Sequence, residues 1–564
     1  MTIKSLKAAN YDEQDSILLV ENFVDSALAH RASGAHKAAD VLDSVTSERS
    51  VKMPVHLEML LDKMPEDQRA ELLGAVLDGC DEYEARHGEA PRADMIAAAL
   101  QSAAAGLDPK DIKGRSLLDS ATSTNHDQIS LQPNRAIVGL YRTIAEAIPF
   151  AGYLPVDIGS NEARIIIAQT RAGSSFGGYL AGDSLEGDAL GRDYSVSSRY
   201  ATLTIDGGAG PFTTQFRTRV IPATGEPDSA SAALGVLRGR TNIYVSGIPA
   251  GGENRDASST STTSPLNGNV TLAGVVYTLT GTVNPATGAV SLSSSPALPA
   301  GTNAYVEAYV DFDNQPALIP LVSVEATTYK LFAAEARVAT SNAFSSASQM
   351  RNEAGLDPET LATVKFADLH TQERHYKFLR QARIQGLAMN AGVFNANFPN
   401  RGTQLVYSDV IRDLAATLGL VDQKMAILSK DSGISHIYTG ARMGAIFDGC
   451  PDYIWKPSGI NKRPGIYFLG TLFGKYKVYY TPFGVVEAGN GNTSELLCIG
   501  TSDQPARNAF MLGDAVPATF LPLATLLDLK RQSAYYTRDI TSMNPHVESA
   551  LRCAVITINN LNPA

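Results

Sequence analysis

Gly173, Ser174, Ser175, Phe176 and Gly177 spell G-x-S-x-G, the pattern in which a serine on a sharp turn between strand and helix becomes a hydrolase nucleophile. The residues before it can form the strand. Those after it, Gly178, Tyr179, Leu180, Ala181 and Gly182, cannot readily start the helix that such an elbow needs, so a flexible loop tip is the better reading. His370, Glu373 and His375 suggest a zinc helix, but zinc helices set their histidines four residues apart. Here the spacing is five, about 140° around a helix, and surface or interface histidines fit better. Asp311, Asp313 and Asn314 lack the central glycine and distal glutamate of a calcium loop and read as a turn. Gly207, Gly208 and Gly210, and likewise Gly489 and Gly491, stand outside any phosphate-cradling pattern and also read as turns. Trp455, between Pro451 and Pro457, reads as a packing anchor. No catalytic residue, cofactor site or metal site is assigned.

The elements that would carry these residues belong to a chain of 564 residues, too long for one compact core. Its four cysteines, Cys80, Cys450, Cys498 and Cys553, lie far apart and encode neither a disulfide framework nor a zinc site. A reducing compartment is expected. No apolar run suits a signal peptide or reaches the roughly 18 residues of a membrane span, so no membrane anchor is expected. Net charge is -11, and residues 1 to 120 hold 22 Asp and Glu against 13 Lys and Arg. A chain that gripped nucleic acid directly would show a basic face, and none is visible.

Residues 1 to 125 read as an acidic helical segment. Ile17, Val20, Val24 and Leu28 share a helical face, a second helix starts at Pro65, and a third runs from near Pro91 to Gly106. Asp108 to Pro133 reads as a linker, and the segment looks separable from the rest. Ala163 to Thr170 and Asp193 to Ile205 read as the two strands of an extended ribbon. A two-stranded ribbon is marginal alone, so this one is expected to lie on something else, plausibly a neighbouring subunit. Residues 206 to 320 read as an inserted β domain of sandwich or barrel type, with strands at Val270 to Leu279, Ala289 to Ser293 and Ala304 to Phe312.

Val322 to Ala339 is strand-like. Asp357, Pro358 and Glu359 then open a helix that can run to Asn390, about 50 Å. Leu361, Leu369, Tyr376, Leu379 and Leu387 fall on one arc of it, with Lys365 and Arg383 intruding. A second helix, capped by Ser408, carries Ile411, Leu414, Leu418, Val421 and Met425 at helical spacing. Strands follow at Ser435 to Thr439, Lys475 to Thr481, Glu495 to Ile499 and Ala554 to Ile558. The expected class is α+β.

This order resembles the Hong Kong 97 type capsid fold, shared by the major capsid proteins of tailed bacteriophages and by encapsulins. Local wording agrees: VSVEATTYKLFAAEARVATSNAF (322 to 344) resembles the strand before the spine helix, and SHIYTGARMGAIFDG (435 to 449) the apical strand and helix. YFLGTLFGKYKVYYTPF (467 to 483) and FMLGD (510 to 514) are similar to later segments of that fold. The resemblance covers residues 126 to 205 and 320 to 564. It implies an N-terminal arm at 126–160, an extended loop at 161–205, a peripheral domain with spine helix at 321–395, an apical domain at 396–510 and a return to the peripheral domain at 511–564, with the β domain inserted at 206–320.

The implied function is that of a major capsid protein rather than an enzyme. It would be a virion protein made late in infection and self-assembling in the host bacterial cytoplasm, as hexamers and pentamers, into an icosahedral shell. Its partners would be itself, a portal, scaffold or decoration proteins, and packaged double-stranded DNA by non-specific proximity; no membrane is involved. The loop residues Arg171, Phe176, Tyr179, Asp183, Glu186, Arg192 and Arg199 are expected to contact neighbouring subunits. Alternatives are an encapsulin-like compartment, a serine hydrolase using Ser175, or a phage tail or other virion subunit. Some relatives cross-link through a loop lysine. No lysine occurs from Gly114 to Tyr329, so no such isopeptide bond is expected. The acidic segment would act either as a built-in scaffold removed by a maturation protease or as a retained domain.

Overall fold

The computed structural model describes residues 3–32, 40, 52–64, 66–107, 137, 140–141, 143–154, 161–254, 261–354, 358–389, 391–396, 407–489, 492–522 and 530–561. The expected linker Asp108 to Pro133 lies outside them. The chain divides into one unit of residues 1–167 and 328–564 and a second of residues 168–327.

The first unit begins with helices α1 (Ile3–Ala32), α2 (Val55–Lys63), α3 (Glu66–His87) and α4 (Ala93–Leu107). Val20, Phe23, Val24 and Ala27 of α1 pack with Leu57, Leu60, Leu72, Leu73 and Val76, as the helical spacing requires. This bundle shares side-chain packing with the rest of its unit. Tyr83 of α3 and Met95 of α4 enter a different core, with Phe150, Phe378, Tyr438, Tyr479 and Phe510. Lys477 pairs with Glu89 across the same boundary. The sequence hid this because Tyr83 and Met95 stand among polar and small residues, where periodicity alone does not mark them as buried.

Strands β1 (Ala151–Tyr153) and β2 (Glu162–Ala172) follow, and β2 leads into the second unit. That unit carries β3 (Ser198–Leu203), β4 (Phe212–Gln215), β5 (Asn242–Val245), β6 (Ile248–Glu253), β7 (Ser264–Leu272), β8 (Val275–Asn284), β9 (Ala289–Ser295) and β10 (Ala304–Tyr309). Their order is β3-β10-β5-β6-β7-β8-β9-β4, with every pair of neighbours antiparallel. Leu203 and Ala201 of the first strand and Phe212 of the last share one core with Leu266, Leu279, Leu292 and Val306, so the sheet must curl to bring its ends to one interior. The expected single strand Val270 to Leu279 is instead a tight hairpin. Ala273 and Gly274, both at positive φ, make its turn. Alanine is a poor signal for that conformation, which explains the misreading.

The chain re-enters the first unit through β11 (Val322–Phe332), followed by β12 (Ala334–Ala343), α5 (Phe344–Ala354) and the long α6 (Pro358–Ala388). After β13 (Val393–Asn395) come α7 (Tyr407–Ser429), β14 (Ile434–Thr439), α8 (Ala441–Asp448), β15 (Trp455–Pro457), β16 (Tyr467–Leu472), β17 (Tyr476–Tyr480), β18 (Glu487–Ala488), β19 (Thr493–Gly500), β20 (Phe510–Pro522), β21 (Lys530–Met543), the single turn α9 (Val547–Ala550) and β22 (Cys553–Asn559). One sheet has the order β1-β20-β21-β12, and another runs β13-β22-β19-β14-β17-β16-β15 with β18 beside β19. On α7, Ile411, Leu414, Leu418, Val421 and Met425 are all buried, each worth about 1.5–3 kcal/mol of transfer energy. The helix starts at Tyr407, which places the expected cap Ser408 inside its first turn.

α6 departs from expectation in which face it buries. Phe378, Leu379 and Ala382 are buried, whereas Leu361, Leu369 and Leu387 of the expected apolar arc are exposed, as is Ile384. Two arginines tie the helix down through ion pairs. Arg383 makes a bidentate contact at 2.7 and 2.8 Å to the buried Glu495, and Arg374 lies 3.4 Å from Asp514 and 3.7 Å from Asp539. Fixing charges there sets the helix's register on β19, β20 and β21.

Candidate assembly surface

β2 does not pair with the segment 193 to 205. Its hydrogen-bonded neighbour is β11, and the two form a sheet of their own. β3, within the expected return strand, pairs with β10 instead. The reason lies in side chains: Ala201, Leu203 and Ile205 alternate inward to fill the β-domain core, which a two-stranded ribbon could not offer them.

β2 alternates in burial. Ala163, Ile165 and Ile167 pack with Leu331, Met511, Ala515 and Ile540. β11 is exposed along nearly all its length, with only Leu331 buried. Val324 is 71% exposed and Phe332 70% exposed, and Leu321 and Val322 also face solvent. β12, at the edge of its sheet, has alternately exposed and half-buried side chains. Charges line these strands. Glu162 takes Arg164 at 2.8 Å and Lys330 at 3.2 Å, Arg171 lies 3.2 Å from Glu325, and Glu335 accepts from Arg538 at 2.8 Å and also pairs with Arg337. Arg164 and Lys330 hold the Glu162 carboxyl below its usual range, and Arg538 and Arg337 do the same for Glu335.

The residues expected to touch neighbouring subunits divide into two groups. Phe176, Tyr179 and Arg199 are buried in the second unit. Arg199, only 1% exposed, lies with its guanidinium 4.8 Å over the Phe176 ring and donates to the Val196 and Ser198 carbonyls at 2.7 Å. Tyr179 stacks edge-on against Tyr194 at 5.0 Å and donates to the Ala189 carbonyl. These three differ from expectation because the segment after β2 folds into its own domain and its large side chains are used there. The other four lie nearer the surface. Arg171 donates to the Gly182 carbonyl at 3.0 Å, Asp183 accepts from the Leu180 amide at 2.9 Å, Glu186 accepts from the Thr170 amide at 3.0 Å, and Arg192 lies 5.6 Å over Tyr179.

The segment around Ser175 is likewise not a flexible tip. Ser175 Oγ accepts from the Ala181 amide at 2.9 Å, Phe176 bridges to Tyr179, and no helix follows. His370 Nε2 faces Asp539 at 3.5 Å, while His375 Nε2 meets the Tyr438 hydroxyl at 3.2 Å. The two histidines therefore serve separate contacts, and among the described residues no group of three His, Cys, Asp or Glu is placed to hold a metal. Asp311 accepts from Asn314, backbone at 3.1 Å and side chain at 2.6 Å, in a local turn. Trp455 is buried and stacked on Phe447 at 5.2 Å. Among the described residues no helix is long and apolar enough to cross a membrane.

The exposed face of β11 escaped the sequence because strand length and alternation say which residues share a face but not whether anything covers it. Its one signal was the expectation that a ribbon here lies on another molecule.

No protein-family model matches the chain, and no curated protein does. Solved structures similar to it include the following. The icosahedrally averaged capsid of jumbo bacteriophage PhiKZ is 8% identical with a TM-score of 0.36, covering 73% of this chain and 91% of that one. The SrpI encapsulin of Synechococcus elongatus PCC 7942 is 10% identical with a TM-score of 0.29, covering 43% and 80%. Mycobacterium phage Che8 gives 11% identity and a TM-score of 0.28, covering 44% and 79%. The capsid of Myoviridae phage XM1 is 9% identical with a TM-score of 0.27, covering 43% of this chain and 78% of that one.

Proposed function

We propose that the chain is a shell subunit, copies of which assemble in the host bacterial cytoplasm into a closed icosahedral head around a phage genome. The observation that carries this reading is β11, a strand of 11 residues paired on one side by β2 and exposed along nearly all its length, with Val322 and Val324 on one face. A solitary chain gains nothing by holding such a strand in water. A chain that lays it across an adjacent copy buries those side chains and gains area while its globular parts stay soluble. The exposed leucines of α6 and the open edge of β12 add two further surfaces that copies in a ring can cover. Phe176, Tyr179 and Arg199 act inside the subunit, and Arg171, Asp183, Glu186 and Arg192 remain the polar candidates for contact with neighbours.

In this reading hexamers and pentamers form the shell, a portal occupies one vertex, scaffold or decoration proteins assist, and double-stranded DNA is held by confinement and not by specific contact. Negative-stain microscopy and sedimentation of the expressed full chain test it. Closed particles of uniform size are expected, and in particles from infected cells, nuclease-protected DNA in place of protein cargo. A chain that stays monomeric at high concentration, with or without a scaffold partner, would refute it.

A further inference from the structure

We infer that the second unit carries a binding surface for neutral glycans on the outer face of its β3-β10-β5 strands. This inference is independent of the shell reading. Strand alternation sends Arg199, Ala201 and Leu203 of β3, Val306 and Ala308 of β10, and Ile243 and Val245 of β5 into the core. The opposite face is therefore fixed by register. Tyr305 of β10 stands between Thr202 and Tyr244, and the next outward residue, Glu307, stands between Tyr200 and Asn242. Tyr309 completes the column beyond Glu307, opposite Ser198.

The rings are ordered among themselves. Tyr244 and Tyr305 stack with centroids 4.8 Å apart and planes 12° from parallel, and Tyr200 meets Tyr305 edge-on at 6.0 Å. The Tyr244 hydroxyl donates to one oxygen of Glu307 at 3.1 Å and the Tyr309 hydroxyl to the other at 3.4 Å. At the rim, Thr202 donates to Glu226 at 2.8 Å. Tyr200 remains 47% exposed. Four tyrosines gathered around one carboxylate on the water side of a sheet are not needed for this unit's core, which lies on the other face.

The chemistry points to a sugar. A pyranose ring offers apolar C–H faces that rest on aromatic rings, and hydroxyl groups around its rim that both donate and accept. Tyrosine supplies a large rigid surface at low entropic cost together with a polar end. Glu307, buried beneath the rings, orients the Tyr244 and Tyr309 hydroxyls, whose oxygens can still accept, and the exposed Asn242 amide can both accept and donate. Three strands about 4.8 Å apart give a face wide enough for an extended oligosaccharide. No lysine or arginine stands on this grid, and its carboxylate disfavours phosphate, sulfate or uronate groups. A compact cation is also a poorer fit. Both oxygens of Glu307 already accept tyrosine hydroxyls, and the rings pack on one another in a row instead of surrounding a point.

Native gel electrophoresis of the full chain tests this, in separate gels containing dextran, galactomannan, mixed-linkage β-glucan or, as a cationic probe, polylysine. Retardation is expected with at least one neutral polysaccharide. Tyr200→Ala, at an exposed position, should weaken it roughly tenfold, the loss of about 1.4 kcal/mol, while Tyr200→Phe keeps most of it. Tyr305→Ala should act in the same direction, and unchanged circular dichroism and melting will separate lost binding from lost folding. Unaltered mobility in all three neutral gels, retention undiminished in Tyr200→Ala, or retardation by polylysine alone would each overturn the inference.

Discussion

His87, His375 and His436 meet around a core of aromatic rings in the first unit. His87 Nδ1 lies 3.3 Å from the Tyr479 hydroxyl, and His436 lies against Phe150 and Tyr479. Burial, followed by the positive field of His375, Arg86 and Lys477, lowers His87 to about 3, and burial first, then Lys477, holds His436 well below its ordinary value. His375 is lowered by burial. These groups are neutral when folded and bind protons more readily when unfolded. Their contribution is therefore complete above the unfolded value, about 6.5, and is lost as pH falls toward the folded value. Each proton taken up costs about 1.4 kcal/mol per pH unit in that window. Urea midpoints measured from pH 7 to 4.5 should fall steeply, and His375→Phe, which keeps a ring beside Phe150, should flatten the slope by about one proton. None of this was legible in the sequence, where His87 stands far from His375 and His436 and nothing marks the three as neighbours. Trp455 was legible as a packing anchor, because a lone tryptophan between prolines has few other uses.

At the scale of elements, what the sequence showed well was periodicity, and what it could not show was pairing. α7 follows its apolar spacing throughout, and β2, β9 and β19 lie where β-rich runs place them. The partner of β2 was misassigned because β11 lies some 150 residues downstream while β3 is near, and local order favours the nearer strand. The arc of leucines on α6 was visible too, but amphipathicity does not distinguish a face buried in its own chain from one left for another. Val324→Asp tests this element directly. Its side chain is 71% exposed, so folding stability should change by less than about 0.5 kcal/mol. Assembly should be lost, with sedimentation reporting small species in place of particles.

For the molecule as a whole, the acidic N-terminal helices share a core with later parts of the chain. Tyr83 and Met95 close a core that also holds Phe150, Tyr438, Phe468 and Tyr479, and removing residues 1–107 would leave those rings open to water. A chain lacking them should bind a hydrophobic dye and melt at a lower temperature than the full chain; equal melting would argue that the segment is dispensable after assembly. Covalent locking is not expected, since no lysine occurs from Gly114 to Tyr329. Assembled particles boiled in denaturant should run as a single monomer band, and a ladder would contradict this. The mixture of helices and strands, the β-rich run after residue 206 and the long helix were legible. The docking of the N-terminal segment was not, because it rests on contacts between residues nearly 400 positions apart, such as Glu89 with Lys477.

The pairing of β2 with β11 has a practical corollary. The Gly173 amide donates to the Leu321 carbonyl at 2.7 Å, so the outgoing and returning chain stand one strand spacing apart. Whatever polypeptide is spliced between those two residues needs only neighbouring ends, and even a short turn would complete a plain hairpin there. The junction is thus a natural socket for exchanging modules, into which a foreign domain could be grafted without redesigning the scaffold beneath it.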